Sequence, residues 1–148
     1  MLRAALTPRT KAVLLAFPTN PTGAIMERED LEAIADVLRD TDVLAVTDEI
    51  YAELTFNGRG HASFAALPGM RERTILLNGF SKAFSMTGWR LGYAAGPLPL
   101  IDAMRKIHQL TMLCAPTPAQ YAGVAALEQG FADGFADTRA MIDEYAAR

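Results

Sequence analysis

The sequence predicts an α/β fold in which a mostly parallel β-sheet is flanked by helices. Short, continuous apolar runs recur along the chain, which is typical of strands buried within a parallel sheet. A segment whose apolar residues have helical spacing separates the first two runs. The first half therefore follows the strand–helix–strand order of a βαβ unit, and this order favours parallel pairing.

The first strand is predicted over Ala12–Phe17 and is expected to be buried on both faces, because all six residues are apolar. A helix is predicted over Glu27–Leu38, where acidic residues in the first turn favour a helix N-terminus. The second strand is predicted over Val43–Val46 and runs into Thr47-Asp48. These three elements form the βαβ unit.

The second half adds two strands and a mainly helical end. The strands are predicted over Thr74–Leu77 and Leu91–Ala95. The other predicted elements are a loop at Asn57–Gly60, a short helix at Ser63–Leu67, and helices at Leu98–Leu113, Pro118–Gln129 behind a Thr117 cap, and from Phe131 onward. The apolar stripe of the first long helix indicates core or a subunit interface, and consists of Ile101, Met104, Ile107 and Leu110–Met112.

Composition and charge exclude several classes of protein. Fourteen basic residues stand against 17 acidic ones, a formal charge of -3, which argues against a nucleic-acid partner. No stretch approaches the roughly 18 apolar residues of a membrane helix. The single cysteine, Cys114, excludes a disulfide framework, suits the cytoplasm and is predicted to be a buried small hydrophobe. No cluster has metal-ligand spacing, and His61 and His108 are interpreted as solvated or packing residues.

Three polar clusters follow the first three strands: Asn20-Pro21-Thr22-Gly23, Asp48-Glu49-Ile50-Tyr51 and Ser81-Lys82. Ligands of open α/β sheets bind beyond the carboxyl ends of the strands, and parallel strands bring these ends to one edge. Each cluster has an ordinary explanation when taken alone, as turn chemistry, strand termination or a solvated charge. Their succession on three strand ends predicts a shared site.

The residue types at this edge fit pyridoxal phosphate (PLP). A lysine amine forms a Schiff base with a carbonyl, and a carboxylate deep in a site holds a ring nitrogen protonated. Arg90 offers a planar, bidentate partner for a phosphate, although stacking on Trp89 is the structural alternative.

The motifs resemble those of the class I/II aminotransferases of PLP fold type I. The similar segments are Phe17–Gly23, Asp48–Tyr51 and Asn78–Tyr93, and the last of these places Lys82 and Arg90 eight residues apart, as the family has its Schiff-base lysine and phosphate arginine. The similarity runs from about Lys11 to about Gly130. It implies a three-layer fragment of the family's large domain.

The resemblance also implies a role for each site residue. Lys82 would hold PLP and later move a proton at the substrate Cα, and Asp48 would pair with the pyridinium nitrogen. Asn20 and Tyr51 would hydrogen-bond the phenolic oxygen of the ring, while Arg90 would bind the phosphate. The family's serine three residues before the lysine is replaced by Gly79, so Ser81 is a candidate for that hydroxyl.

The expected activity is amino-group transfer between an amino acid and a 2-oxo acid. Tyr51 favours transamination, since related acyl-transferring synthases have a histidine at the equivalent position. A PLP-dependent β-lyase and an enzyme similar to aminocyclopropane-carboxylate synthase remain alternatives. The resemblance further implies amino-acid metabolism or biosynthesis, and a cytoplasmic homodimer at full length.

The chain ends predict an incomplete domain. The sequence begins almost at a strand and stops inside a helical pattern, without a stop signal. Residues 1–148 are interpreted as a partial large domain, with about 131–148 beginning the helix that leads to a small domain. The family's upstream phosphate loop and carboxylate-binding arginine fall outside the sequence. We therefore expect the isolated chain to be inactive, and a fragment without catalysis is the competing hypothesis.

Overall fold

The computed structural model describes residues 1–148 and contains one four-stranded sheet with the strand order β1-β2-β3-β4. The strands are β1 (Ala12–Ala16), β2 (Leu44–Asp48), β3 (Thr74–Gly79) and β4 (Gly92–Ala95). The first three strands pair in parallel, and β4 returns antiparallel to β3. The predicted α/β class and the mostly parallel sheet are confirmed.

Five helices accompany the sheet: α1 (Leu2–Ala5), α2 (Arg28–Leu38), α3 (Leu98–Thr111), α4 (Thr117–Asp133) and α5 (Ala136–Ala146). Short 3₁₀ turns occupy Phe64–Ala66, Arg71–Arg73 and Thr87–Trp89. None of the helices combines the length and hydropathy needed to cross a membrane.

Helix ends follow local capping chemistry. At the start of α2, Glu27 and Asp30 form a reciprocal capping box, which satisfies amide groups that the first helical turn leaves free. At the other end of the chain, α4 stops at Gly134, whose left-handed backbone (φ 68°) closes the helix. Thr117 is the first helical residue and not the predicted cap.

The buried core lies on the sheet face that carries Ala45. Leu31, Ala35 and Leu38 of α2 pack there against a segment that includes Phe64 and Met70. Leu38 is fully buried, so α2 is fixed along this face. The core therefore fixes the backbone of β2, whose end carries Asp48.

The prediction that the first strand is buried on both faces is wrong. β1 is the edge strand, and Val13 and Leu15 pack against the core while Leu14 on the opposite face remains 71% exposed. A period of two residues separates these side chains onto two faces, and the core covers only one of them.

The apolar stripe of α3 lies outside the core. Ile107, Leu110 and Met112 are exposed, so the core interpretation is wrong for them, and the interface interpretation stays a prediction. Cys114 is also exposed, in contrast to the predicted buried position, because it lies in the turn between α3 and α4.

Candidate functional site

The carboxyl ends of β1, β2 and β3 lie side by side at one edge of the sheet. Ala16 pairs with Asp48, and Asp48 in turn pairs with Leu77, two residues before β3 ends. The loops that follow these strands therefore begin next to one another. This arrangement brings together segments that are up to about sixty residues apart in the sequence.

Tyr51 is the point at which three of the predicted site residues meet. The Asn20 amide donates a hydrogen bond to the Tyr51 hydroxyl at an N–O distance of 3.4 Å. The Lys82 Nζ lies over the Tyr51 ring, 5.4 Å from its centroid, a cation–π geometry. One residue from each of the three loops thus takes part in a single group.

Asp48 stands at the same edge but makes a local contact. Its Oδ1 accepts a hydrogen bond from the Ile50 amide at 3.1 Å, which fixes the carboxylate at the start of the turn that carries Tyr51. No hydrogen bond joins Asp48 to Asn20 or Lys82. The strand alternation turns Asp48 to the face opposite Glu49, and Asp48 is half-buried there.

Arg90 and Ser81 lie on the hairpin formed by β3 and β4. The Phe80 amide donates to the Leu91 carbonyl at 3.2 Å, so the residues on either side of this bond, Ser81 and Arg90, lie at the same end of the hairpin. Arg90 has a left-handed backbone (φ 54°) and donates from Nη1 to the Thr87 carbonyl at 3.1 Å. Its side chain is exposed, and Ser81 is half-buried beside Lys82.

The hairpin explains why glycine occupies position 79. A Cβ atom there would lie 2.9 Å from both the Gly92 Cα and the Leu91 carbonyl oxygen, closer than real Cβ contacts allow. The two backbones approach each other directly at this pair of glycines. A serine at position 79 would therefore require the backbones of β3 and β4 to move apart at this point.

A hydrogen-bonded cluster of Glu49, His61 and Ser63 next to Asp48 was not predicted from the sequence. The Glu49 carboxylate is bonded on both oxygens, to His61 Nε2 at 2.7 Å and to the Ser63 hydroxyl at 3.0 Å. Burial by itself raises the pKa of Glu49, but the hydrogen bond and charge of His61, with the Ser63 bond, outweigh it and lower the pKa below its ordinary value. The sequence signal for this cluster is the pair of adjacent acids at the end of a strand. Successive side chains of a strand point to opposite faces, so one of the two acids faces the core.

An open cleft of about 850 Å³ adjoins the Asn20–Tyr51 pair. Arg59, from the loop after β2, and Tyr145, from α5, also line it. Neither residue was a candidate in the sequence, because their approach depends on how the loop and the last helix fold back. Arg59 is the single lining residue with a permanent charge, and it also lies 3.7 Å from Glu27.

Comparison with known protein families identifies the family of this chain. The family model described as aminotransferase class I and II matches residues 1–148. The chain belongs to this family.

Individual relatives agree with this assignment. A putative aminotransferase of Bacillus subtilis, YugH, is 54% identical over 130 residues, covering 88% of this chain and 33% of that protein. The aspartate aminotransferase of Geobacillus stearothermophilus is 48% identical over 126 residues, covering 84% and 32%. The structure of Thermus thermophilus aspartate aminotransferase with maleate superposes with a TM-score of 0.86 at 40% identity, covering 99% of this chain and 36% of that one.

These comparisons bear on fold and on length. The solved relatives confirm the predicted fold type I architecture, and the four-stranded sheet of this chain is part of that architecture. The chain spans about a third of the length of the curated relatives it matches.

Members of this aminotransferase family depend on pyridoxal phosphate, and the residues at the sheet edge fit that cofactor. The edge carries a lysine amine, a carboxylate, an amide–phenol pair and an arginine, which are chemical types suited to an aldehyde, a ring nitrogen, a ring oxygen and a phosphate. The meeting of Asn20 and Lys82 on Tyr51 is the structural observation that supports the fit.

Proposed function

We propose that this chain forms the cofactor-binding part of a pyridoxal-phosphate-dependent aminotransferase that moves an amino group between an amino acid and a 2-oxo acid. The observation that carries the proposal is the contact of Tyr51 with both Asn20 and Lys82 at the carboxyl edge of the sheet. The printed names of the relatives support the reaction class, since they are aminotransferases.

The proposal gives the three strand-end residues distinct tasks. When bound, pyridoxal phosphate supplies an aldehyde that condenses with amines and a ring that withdraws electrons. Lys82 holds the cofactor through its Nζ, and the freed amine takes the proton that the substrate Cα loses. The Asp48 carboxylate keeps the ring nitrogen protonated by charge and hydrogen bonding.

The remaining groups orient the cofactor. The Asn20 amide and the Tyr51 hydroxyl donate hydrogen bonds to the ring oxygen and favour its anionic form. Arg90 holds the phosphate with its planar guanidinium group, and Ser81 contributes a hydroxyl to it. Arg90 is suited to this task because its exposed side chain has one hydrogen bond within the chain, to Thr87.

Borohydride trapping tests the assignment of the lysine. Reduction of the full-length protein loaded with pyridoxal phosphate should fix the cofactor to Lys82, and peptide mapping should find it there. The chain has two other lysines, Lys11 and Lys106, and both are exposed. Lys82→Ala should abolish the label, and the matched change Lys106→Ala should preserve it. A label on any lysine other than Lys82 would defeat the proposal.

A product assay separates amino transfer from elimination. The full-length protein that contains this chain should convert an added 2-oxo acid to its amino acid in proportion to the substrate consumed. Release of pyruvate or ammonia without a 2-oxo acid acceptor would replace the transferase by a lyase similar to the alternatives above.

We also propose a cytoplasmic homodimer for the full-length protein, with a role in amino-acid biosynthesis. The exposed apolar side chains of α3, with Leu110 89% exposed, support burial of this face in an assembly. Analytical ultracentrifugation of the full-length protein should give twice the monomer mass, and fractionation of cells should recover it with cytoplasmic enzymes.

A further inference from the structure

The turn that carries Lys82 is tied to α5 by a long-range hydrogen bond. The Thr138 hydroxyl of α5 donates to the Ala83 carbonyl at 2.9 Å, across 55 residues of sequence. Both residues are buried, with exposures of 9% for Thr138 and 8% for Ala83. Ala83 directly follows Lys82, so this bond acts on the peptide next to the lysine.

The Thr138 hydroxyl gives the Ala83 carbonyl a hydrogen bond that no backbone amide of the turn provides. Within the turn, the Phe80 carbonyl accepts from the amides of Phe84 and Met86, and the Lys82 carbonyl accepts from Ser85. No backbone amide donates to Ala83. A buried carbonyl without a partner is costly, so the Thr138 hydroxyl completes the hydrogen bonding of this turn.

Further contacts of α5 and of Phe135, the residue directly before it, reach both sides of the site. The Ser85 hydroxyl lies 3.1 Å from the Met141 sulfur, and the rings of Phe84 and Phe135 pack edge to face, 6.1 Å apart. At the far end of the same helix, Tyr145 lines the cleft beside Asn20 and Tyr51. The helix therefore spans from the lysine turn to the cleft.

We propose that Thr138 is a positioning residue for Lys82. By fixing the Ala83 peptide, it holds the turn in the one arrangement that places the lysine amine over Tyr51. This inference rests on the proposed function, in which Lys82 carries the cofactor, and it adds a residue from outside the strand-end motifs.

The variants Thr138→Val and Thr138→Ser test the proposal against a matched control. Valine keeps the shape of threonine and removes the hydroxyl, whereas serine keeps the donor. Thr74→Val is the control, because the Thr74 hydroxyl also donates to a carbonyl, that of Met70 at 2.6 Å, and is 1% exposed. It lies at the opposite end of β3, and its loss should lower the unfolding midpoint without reaching the lysine.

Two measurements on the protein without cofactor report on the turn that carries Lys82. Amide exchange at Phe84, Ser85 and Met86 should accelerate roughly tenfold in Thr138→Val, the factor expected for one lost hydrogen bond. The rate at which acetic anhydride acetylates Lys82, measured relative to the exposed Lys106, should differ between Thr138→Val and the wild type. Thr138→Ser should restore both values, and Thr74→Val should leave both unchanged.

Equal effects of Thr74→Val and Thr138→Val on Lys82 would reduce Thr138 to a general stabilising residue and overturn the proposal. Unchanged exchange and acetylation in Thr138→Val would do the same. If the valine variant does not fold, Thr138→Ala provides the same loss of the hydroxyl with a smaller side chain. Cofactor trapped on a different lysine would contradict the proposed function. Amide exchange and acetylation test the positioning role of Thr138 independently of that result, because both are measured without cofactor.

Discussion

Tyr51 connects the groups of the candidate site more directly than any other residue. Its hydroxyl accepts from Asn20, and its ring lies under the Lys82 amine. A cation–π contact is worth about 0.5–1 kcal/mol at an exposed position and more where water is excluded. The aromatic ring therefore orients the lysine while its hydroxyl remains available at the cleft.

Removal of the Asp48 carboxylate should affect turnover more than cofactor binding. In Asp48→Ala we expect kcat of the full-length enzyme to fall on the order of 10²–10³-fold, the range found when one group that stabilises developing charge is deleted. Cofactor absorbance should be retained in part, because Lys82 and Arg90 remain. Steady-state kinetics and absorbance titration measure the two effects, and unchanged turnover would remove Asp48 from the proposed mechanism.

Glu49 should make folding stability depend on pH. Its folded-state pKa is lowered, so its stabilising contribution is complete above the ordinary carboxyl value of 4.5 and is lost as the pH falls through the lower folded value. The difference in unfolding free energy between the wild type and Glu49→Gln should therefore shrink as the pH is lowered below 4.5. Urea unfolding between neutral and acid pH measures this difference.

Glu32→Gln is the control for this measurement. Glu32 is 53% exposed and pairs with Arg28 at 3.7 Å, a surface contact of small energetic value. Its substitution should give a small difference with little pH dependence. A wild-type advantage over Glu49→Gln that stayed constant, or grew, on acidification would contradict the assigned pKa shift.

At the scale of the elements, the hairpin of β3 and β4 holds two parts of the site in a fixed relation. Asn78 pairs with Tyr93 and Gly79 with Gly92, after which the chain enters the lysine turn on one side and leaves the Arg90 segment on the other. The distance between Lys82 and Arg90 is thus set by strand pairing as well as by sequence spacing.

Gly79→Ala should loosen this hairpin. The added methyl group would lie 2.9 Å from the Gly92 backbone, and overpacking of this kind costs about 1–3 kcal/mol. Gly60→Ala is the matched control, because a Cβ at Gly60 meets nothing within 4 Å. Urea unfolding should show a lower midpoint for the first variant alone, and equal stability of the two variants would contradict the close approach.

At the scale of the whole molecule, much apolar surface remains exposed. Leu14 on β1, Leu110 on α3 and Phe131 on α4 are each more than 70% exposed. The relatives are about three times as long as this chain. Surface of this kind is typical of a face that is covered in a larger protein.

The isolated 148-residue chain should bind pyridoxal phosphate poorly and should not transaminate. The relatives that it matches have about two thirds of their length outside the matched region, and the resemblance places further cofactor and substrate groups there. Equilibrium dialysis with the cofactor and a coupled assay with a 2-oxo acid test this expectation. Robust turnover by the isolated chain, abolished in Lys82→Ala, would contradict it.

The sequence predicted where along the strands the candidate residues lie, because the rule behind their positions is local; their roles stay a prediction. Each short apolar run indicates a strand, and the first polar residues after it mark the edge where ligands bind. Asn20, Asp48 and Lys82 follow from this rule. Glu49, Thr138 and Tyr145 did not, because their partners lie 12 to 55 residues away or across a cleft.

Burial was the least predictable property. The sequence predicts β1 as buried on both faces and the stripe of α3 as core or a subunit interface, yet Leu14 and Leu110 are exposed in this chain. An apolar side chain shows that a residue is able to be buried, whereas the elements that pack on its face decide whether it is. For β1, burial depends on its position at the edge of the sheet, and the strand order sets that position.

The sequence by itself determined the α/β class, the family resemblance and the identity of the chemical groups, because hydrophobic periodicity and motif spacing are properties of short segments. The tertiary structure alone decided which groups meet: Tyr51 between Asn20 and Lys82, Glu49 against His61, and Thr138 on Ala83. The physical reason is that parallel pairing and helix packing join residues far apart in sequence, and these contacts depend on the register and direction of whole elements.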